Sequence, residues 1–388
     1  MSGYIFAINK EHWDSFLENN LKYGVFSPLT VQYDDANHLS PTKRKMLCKT
    51  LCTIYGDLIT MKENDNIYFL SNRKIYGIGK ATKIGIDCKY DNYQNASALL
   101  PTDEYHCSKL VYENYLNRWL ILFKPAPFFF KKGVDMDDVL KYKPNSFKML
   151  RAFQNRSFIK VDDEENRALR EFISLNNEQF YNDIDSNTYN YNDTIHRDLQ
   201  DTDLSNYLMN IENAAMFDDN FKYVNSEMFI ESLFMQKVIR KDINIIGKWD
   251  YLTHQLIASP FKPINYVDWI DIFGYRFSTY YKYEPKLISK YLLIETKKVK
   301  INKAAIEQTM QYIDWICKEY ASNNYSLIDA YIICPGTVRN INEIISSVCE
   351  RSFIIESHPA KPSKWNNIKI IVYSFNRALR TFDFNVLY

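Results

Sequence analysis

KYLLIETKK, residues 290–298, is a run of apolar residues that ends abruptly in charge. A short apolar run with such an ending is typical of a central strand that is buried on both faces. Side chains two residues apart on a strand share a face, so Glu295 and Lys297 are expected to point into the same space. The stretch therefore predicts a buried strand that ends in a charged pair. That pair is either a simple surface ion pair or part of a site.

A second carboxylate lies upstream, in WIDIFGYR (residues 269–276). If this segment forms a neighbouring strand, Asp271 and Glu295 supply two hard oxygen ligands, with Asp268 as the alternative to Asp271. Proteins hold Mg²⁺ with one or two carboxylates, water and substrate phosphate. The metal lowers the pKa of a bound water, and a nearby lysine such as Lys297 positions that water or helps to deprotonate it. The sequence thus predicts a site for Mg²⁺ or Mn²⁺.

Helical patterns lie on both sides of these two segments. Residues 225–238 form a helix that Asn225-Ser226 can cap, and Glu227 and Glu231 project from one of its faces because they are four residues apart. A second helix is predicted at about 303–320, and a last core strand at 328–334. The predicted order along the chain is helix, strand, strand, helix, strand.

In this order and in its residues, the C-terminal part resembles the PD-(D/E)xK nuclease superfamily, in particular the branches with a Gln-x3-Tyr helix after the Glu-x-Lys strand. The matching residues are Glu231, Asp271, Glu295, Lys297, Gln308 and Tyr312. The resemblance implies a restriction-endonuclease-like core with a central mixed sheet flanked by helices. It further implies metal ligation by Asp271 and Glu295, catalytic roles for Lys297, Gln308 and Glu231, and a supporting role for Tyr312. The implied reaction is phosphodiester hydrolysis that leaves 5′-phosphate and 3′-hydroxyl ends.

Three departures from that pattern leave alternatives open. No proline precedes Asp271, and the absence of this proline is common in the superfamily. The 23 residues between Asp271 and Glu295 make a long connection, so either an insertion lies around 280–289 or Asp268 is the metal ligand. Glu227 is likewise an alternative to Glu231.

The first part of the chain shows clear strands and helices of its own. Strands are predicted at 4–8 and 119–123, helices at 41–55 and 162–175, and a hairpin from two strands, 66–71 and 74–83, that meet at Asn72-Arg73. Gly77 and Gly79 share one face of the second hairpin strand. That bare stripe permits the close approach of a ligand or of another backbone, or reflects tight packing against a neighbour.

Residues 1–170 resemble PUA/EVE-like domains, through GYIFAINKEHW, GVFSP, NDNIYFLSNRKIYGIGKAT and RWLILFKPAPFF. The resemblance implies a mixed α/β, PUA-like β-barrel that binds a modified or flipped base, or a small ligand, in an aromatic-walled pocket. The residues assigned to that pocket are Trp13, Phe26, Gly77, Gly79, Trp119 and Phe128. The alternative interpretation of each of the aromatic residues, and the favoured one, is a place in the core.

Charge and composition suggest where the domains divide. Residues 221–388 hold 22 Lys and Arg against 16 Asp and Glu, a net charge of +6, whereas residues 1–220 hold 26 against 31, a net charge of −5. The stretch 176–220 is rich in Asn, Asp and Tyr and shows no sustained period, as a linker does. We expect a sensor domain at 1–175, a linker at 176–220 and a nuclease domain at 221–388, whose basic balance suits DNA.

The cysteines and the apolar runs bear on the cellular setting. The seven cysteines form no dense framework, and Cys48 and Cys52 are interpreted as packed, reduced thiols. No run approaches the ~20 apolar residues that span a bilayer, and MSGYIFAINKEHW carries no leader pattern. We expect a cytoplasmic protein without a membrane partner.

Taken together, the two resemblances imply a DNA endonuclease of an anti-phage defence system, such as the Shedu type, or of a modification-dependent restriction system, and a homo-oligomer. In it, the N-terminal domain senses a DNA feature or a ligand. Two alternatives come from other classes: a DNA repair or mismatch endonuclease, and a non-catalytic nucleic-acid-binding protein that reuses the fold. An intact Glu-x-Lys pair favours an active enzyme over the second alternative.

Overall fold

The chain divides into two compact units, Met1–Val224 and Asn225–Tyr388. Each unit combines α-helices with β-sheet, so the α/β class expected from the sequence is confirmed in this coarse form. The computed structural model describes residues 1–28, 30–32, 40–94, 115–153, 156–212, 226–258, 268–278, 287–376, 378–379 and 381–387.

The first unit is built on a mixed sheet. Its strands are β1 (Gly3–Ala7), β2 (Val25–Phe26), β3 (Thr30–Gln32), β4 (Asn66–Ser71), β5 (Lys74–Ala81), β6 (Lys89–Asp91), β7 (Tyr115–Asn117), β8 (Trp119–Pro125), β9 (Val134–Asp135) and β10 (Phe158–Val161). The main sheet has the order β10-β1-β4-β5-β8-β2, with β6 on β8 and β9 on β5, and β3 pairs with β7 separately. Only the β1–β4 pair among these described strands is parallel.

The hairpin of β4 and β5 forms where the sequence predicts it. Asn72 and Arg73 both have positive φ, 48° and 62°, and two such residues in a row make the tight turn whose twist matches antiparallel strands. The structure pairs Ser71 with Lys74 directly across this turn. The predicted hairpin is therefore confirmed.

The α-helices of the first unit are α1 (Trp13–Phe16), α2 (Pro41–Leu58), α3 (Met136–Tyr142), α4 (Asp163–Asn177), α5 (Ile184–Asn187) and α6 (Thr194–Gln200). Of these, α2, α3 and α4 begin at a side-chain cap. Ser40 accepts a hydrogen bond from the amide of Lys43 at the start of α2. Asp162 accepts from two amides at the start of α4, where acidic side chains also suit the helix dipole. Both predicted helices are confirmed, each extending two or three residues beyond its predicted end.

The stretch predicted as a linker belongs to the first unit as far as the structure describes it. Ile195, Leu199 and Leu204 are buried in one hydrophobic cluster with side chains of β2, β6 and β8. The linker prediction is wrong for these residues, because a few apolar side chains at the right spacing bury a segment whose average composition is polar. Residues 213–220, the rest of the predicted linker, lie outside the described part of the chain.

The second unit is also built around a mixed sheet. Its strands are β11 (Tyr251–Ile257), β12 (Trp269–Phe277), β13 (Ile288–Thr296), β14 (Ile328–Cys334), β15 (Arg351–Ser357), β16 (Ala360–Trp365), β17 (Ile368–Asn376) and β18 (Thr381–Val386). Its helices are α7 (Glu227–Arg240), α8 (Lys303–Glu319) and α9 (Ile341–Val348). The main sheet has the order β11-β12-β13-β14-β17-β18, and β15 and β16 form a separate hairpin.

The centre of this sheet is parallel and its edges are antiparallel. β13, β14 and β17 run parallel to one another, and β11 and β12 are added to β13 as an antiparallel meander. α8 connects β13 to β14, and α7 precedes the meander, so the order along the chain is helix, three strands, helix, strand. The predicted strand at 328–334 is confirmed. The insertion considered at 280–289 lies, up to residue 286, outside the described residues.

Two further observations concern solvent and thiols. None of the helices among the described residues is long and apolar enough to span a bilayer. The cysteines in the described part of the chain, including Cys48 and Cys52, are all buried free thiols.

Candidate functional site

Asp271 and Glu295 face each other across two neighbouring strands of the second unit. Ile272 of β12 lies opposite Ile294 of β13 in the antiparallel register. Continuing this register by one residue sets Asp271 opposite Glu295, and directly opposed residues project from the same face of a sheet. The amide of Thr296 also donates a 2.7 Å hydrogen bond to Asp271 Oδ2. The structure thus brings the two predicted metal ligands together at the end of the central strand.

Lys297 completes this group. Its ammonium lies 3.2 Å from Glu295 Oε2. Glu295 is only 2% exposed, and among the described residues no donor bonds its other oxygen, Oε1. An ordinary strand-end ion pair is solvated at both partners, whereas this carboxylate is buried with one oxygen turned to no protein donor.

The three groups perturb one another's protonation. Burial raises the pKa of Glu295 to about 7, although the charge and hydrogen bond of Lys297 act in the opposite direction. Burial also raises the pKa of Asp271 well above its usual value, and the charges of Glu231 and Glu295 add to the shift. For Lys297, burial alone would lower the pKa, but the charges of Glu295 and Asp271 outweigh it, so the pKa is raised and the ammonium form is favoured.

Glu231 reaches the same group from α7. It is 2% exposed, and its charge acts on both Asp271 and Glu295. His254 of β11 lies 2.6 Å from it, between Nε2 and Glu231 Oε2. His254 was missed by sequence reasoning, because no strand was predicted between the helix at 225–238 and the strand that contains Asp271. A histidine within the segment YLTHQLI was the one signal that pointed to it.

The alternates to these ligands lie at the rim of the group. Glu227 Oε1 accepts a 3.0 Å hydrogen bond from the amide of Lys298, just beyond β13. Asp268 is exposed one residue before β12 begins. Asp271 is therefore the better placed aspartate, and Glu231 is the more deeply buried of the two glutamates on α7.

The Gln-x3-Tyr pair of α8 lies beside these carboxylates. α8 begins where Asn302 accepts a hydrogen bond from the amide of Ala305. Gln308 Nε2 donates to the hydroxyl of Tyr312 at 3.3 Å. Burial raises the pKa of Tyr312, and the charge of Glu295 adds to this shift, so the two side chains act on each other electrostatically.

A divalent cation fits the residues that are present. Two opposed carboxylates raise each other's proton affinity, and a cation between them would offset this repulsion. The buried Glu295 Oε1 offers a lone pair that no described donor uses. In the described ranges, no group of three or more His, Cys, Asp and Glu side chains is arranged to hold a metal by itself. Mg²⁺ needs only one or two protein carboxylates when water and phosphate complete its shell.

The residues assigned to an N-terminal pocket do not form one site. Trp119 is 1% exposed and packs on Tyr55, and the ring of Phe26 lies 5.1 Å from that of Phe6 within an aromatic cluster. Trp13 packs on Tyr76, with ring centroids 4.4 Å apart. Trp119 therefore fills the core, and its assignment to a pocket is wrong, whereas Phe26 is half-buried at the edge of the aromatic cluster.

The two glycines of β5 are explained by packing. A Cβ added at Gly77 would lie 2.7 Å from the Tyr68 ring, and one at Gly79 would lie 3.1 Å from the carbonyl oxygen of Ile67. Side chain and backbone of β4 thus occupy the space that a ligand would need. Of the two alternatives left open by the sequence, tight packing is the correct one.

A surface cavity of the first unit measures about 390 Å³, and its walls include Lys124, Tyr189 and Asn190. Of the six residues assigned to the pocket, only Phe128 lines this cavity. Tyr189 belongs to the stretch predicted as a linker, and its amide bonds to the carbonyl of Phe129. A cavity of this size suits a small ligand, but apart from Phe128 it is built from residues other than those expected.

In the second unit, by contrast, side chains from α7, β11, β12, β13 and α8 converge on one group of carboxylates and a lysine. No model of a known protein family matches the chain, and comparison with curated proteins gives no match either.

Proposed function

We propose that the protein is a metal-dependent DNA endonuclease whose second unit is a PD-(D/E)xK nuclease domain. The observation that carries the proposal is the convergence of Asp271, Glu295 and Lys297 at the end of the central strand, with Lys297 3.2 Å from Glu295. The order of helix, three strands, helix and strand around that group supports the finer fold assignment.

Each residue has a role that follows from its surroundings. Asp271 and Glu295 would hold Mg²⁺ or Mn²⁺, which supplies a bound water of lowered pKa and neutralises charge on the phosphate. Because its raised pKa favours the ammonium form, Lys297 acts as a donor that orients the attacking water and stabilises charge on the phosphate oxygens. Gln308 and Tyr312 are hydrogen-bonded to each other beside the site, where they position the substrate or Lys297.

Charge around the site supports a polyanionic substrate. Lys298 and Lys300 are exposed in the connection that leaves β13, immediately after Lys297. Residues 221–388 carry a net charge of +6. Most of the affinity of a nuclease for DNA comes from such phosphate contacts, which carry no sequence information.

For the biological setting, we propose an anti-phage defence or modification-dependent restriction system in the cytoplasm, with the protein acting as a homo-oligomer. The first unit, with PUA-like character, would sense a DNA feature or a ligand. The support for this part is the resemblance of its sequence and the presence of a mixed sheet with a cavity of about 390 Å³.

The direct experiment is a cleavage assay with the full-length protein. Supercoiled plasmid and linear duplex DNA are incubated with Mg²⁺, with Mn²⁺ and with EDTA, and the ends of the products are identified by labelling. We expect cleavage in the presence of either metal and not in EDTA, with 5′-phosphate ends. Binding of DNA without cleavage in either metal would favour a non-catalytic binding protein.

A further inference from the structure

The side chains of His254 and Glu231 form a pair that is almost completely buried. His254 is 1% exposed and Glu231 is 2% exposed, and their side chains come from different elements, β11 and α7. Nε2 and Oε2 lie 2.6 Å apart. A carboxylate only accepts hydrogen bonds, so Nε2 carries the hydrogen and donates it. The strand thus fixes one oxygen of the glutamate.

Burying such a pair contributes little net stability. The free energy lost when a carboxylate leaves water is about as large as the free energy gained from its partner, so apolar residues of similar volume often stabilise a core equally well. Here the cost is higher still, because the charge of Glu231 acts on both Asp271 and Glu295. Glu227, one turn earlier on the same face of α7, accepts a 3.0 Å hydrogen bond from the amide of Lys298 just beyond β13, so this face of α7 reaches the strand end that carries Glu295 and Lys297. A buried pair at this place is better explained by a role in the site than by stability.

We propose that His254 is a positioning residue, which holds Glu231 so that this carboxylate serves the metal centre of Asp271 and Glu295. The inference rests on the proposed function and adds a role for a strand that the sequence did not reveal. With Oε2 held by the imidazole, Oε1 of Glu231 would interact with a water bound to the cation. Hydrogen-bond partners of this kind orient a carboxylate, and their loss typically weakens metal binding about 10- to 100-fold.

The test measures Mn²⁺ binding directly, by electron paramagnetic resonance of free Mn²⁺, with the full-length protein and without DNA. His254→Ala is expected to raise the Kd for Mn²⁺ about 10- to 100-fold, while DNA binding in EDTA stays unchanged. His254→Gln retains an amide that can donate to Glu231 and is expected to restore most of the affinity. Glu231→Gln, which keeps the volume but removes the charge, is expected to weaken Mn²⁺ binding as well.

The matched control is His196→Ala. His196 is also a buried histidine, 6% exposed, and its Nε2 lies 3.0 Å from the carbonyl oxygen of Gly24 in the first unit. This variant loses a buried imidazole in the same way and is expected to bind Mn²⁺ like the wild type. Circular dichroism spectra establish that each variant is folded at the temperature of the measurement.

Two results would overturn the inference: one leaves the proposed function intact, and the other contradicts it as well. If the wild type binds Mn²⁺ and cleaves DNA, but His254→Ala and Glu231→Gln bind Mn²⁺ equally well, the pair is structural and the proposed function stands without it. If the wild type neither binds Mn²⁺ nor cleaves DNA, the proposed function itself fails. If His254→Ala does not fold, His254→Gln together with Glu231→Gln decides: retention of affinity in Glu231→Gln rejects the inference.

Discussion

Lys297→Ala is expected to lower metal-dependent DNA cleavage by at least about 10²-fold, a typical loss for a positioned catalytic group. Glu295→Ala, which removes a ligand charge from the metal, is expected to have an effect of the same order. Both losses fall on the chemical step, because binding rests on many phosphate contacts spread over a basic surface. Gln308→Ala is expected to lose less, since Gln308 only helps to position the substrate or the lysine. Single-turnover cleavage and DNA binding in EDTA measure the two effects separately.

The control for this comparison is Lys361→Ala. Lys361 and Glu356 form an ion pair of similar length, 3.3 Å, on the separate hairpin of β15 and β16, but both side chains are more than half exposed. Loss of an exposed pair costs little stability. If Lys297→Ala cleaved DNA as fast as the wild type, Glu295 and Lys297 would form only an ion pair at the end of a strand. The nuclease assignment would then lose its basis.

Leu199→Ala is expected to destabilise the first unit by about 2–5 kcal/mol, the usual cost of truncating a buried leucine. Leu199 is 4% exposed and packs in the cluster that joins α6 to β2, β6 and β8. The effect is large because removal of the side chain both loses apolar burial and leaves a cavity. Urea unfolding, followed by tyrosine and tryptophan fluorescence, gives the free energy of unfolding of the variant and of the wild type.

Leu175→Ala serves as the matched control for Leu199→Ala. Leu175 lies on α4 in the same unit but is 53% exposed, so its truncation is expected to change stability by no more than about 0.5 kcal/mol. If Leu199→Ala were equally mild, the segment around it would be loosely attached. The earlier prediction of a linker would then be the better description.

The central strand was predictable because its pattern reflects its environment in a simple way. The middle of β13, from Tyr291 to Ile294, is apolar and buried, the strand becomes polar at Glu295 where it meets the site, and β14 has the bounds that the pattern predicts. β11 was not predictable by the same rule. Thr253 and His254 are buried polar residues, and they break the apolar run that would have marked a strand. The buried side chain of His254 contacts Glu231, which lies 23 residues away in sequence, so no local pattern indicates this contact.

The incorrect assignment of Trp119 to a pocket has a different physical cause. An aromatic residue such as Trp119 has the same local sequence pattern whether it fills a core or lines a cavity, because both environments are apolar. Which of the two is realised depends on partners far along the chain, such as Tyr55 against Trp119. The role of Gly77 is likewise decided on the neighbouring strand, where the Tyr68 ring occupies the space next to it. Local patterns contain no information on such pairings.

Anomalous diffraction from crystals of the full-length protein grown with Mn²⁺ tests the central claim most directly. We predict a strong anomalous peak between Asp271 and Glu295, with a carboxylate oxygen of each residue at about 2.2 Å, the distance typical of oxygen ligands to small divalent ions. The Lys297 ammonium should lie beside that peak without ligating it. No peak at this position at saturating Mn²⁺, with Lys297 still paired to Glu295, would contradict a metal-dependent nuclease centre in this chain.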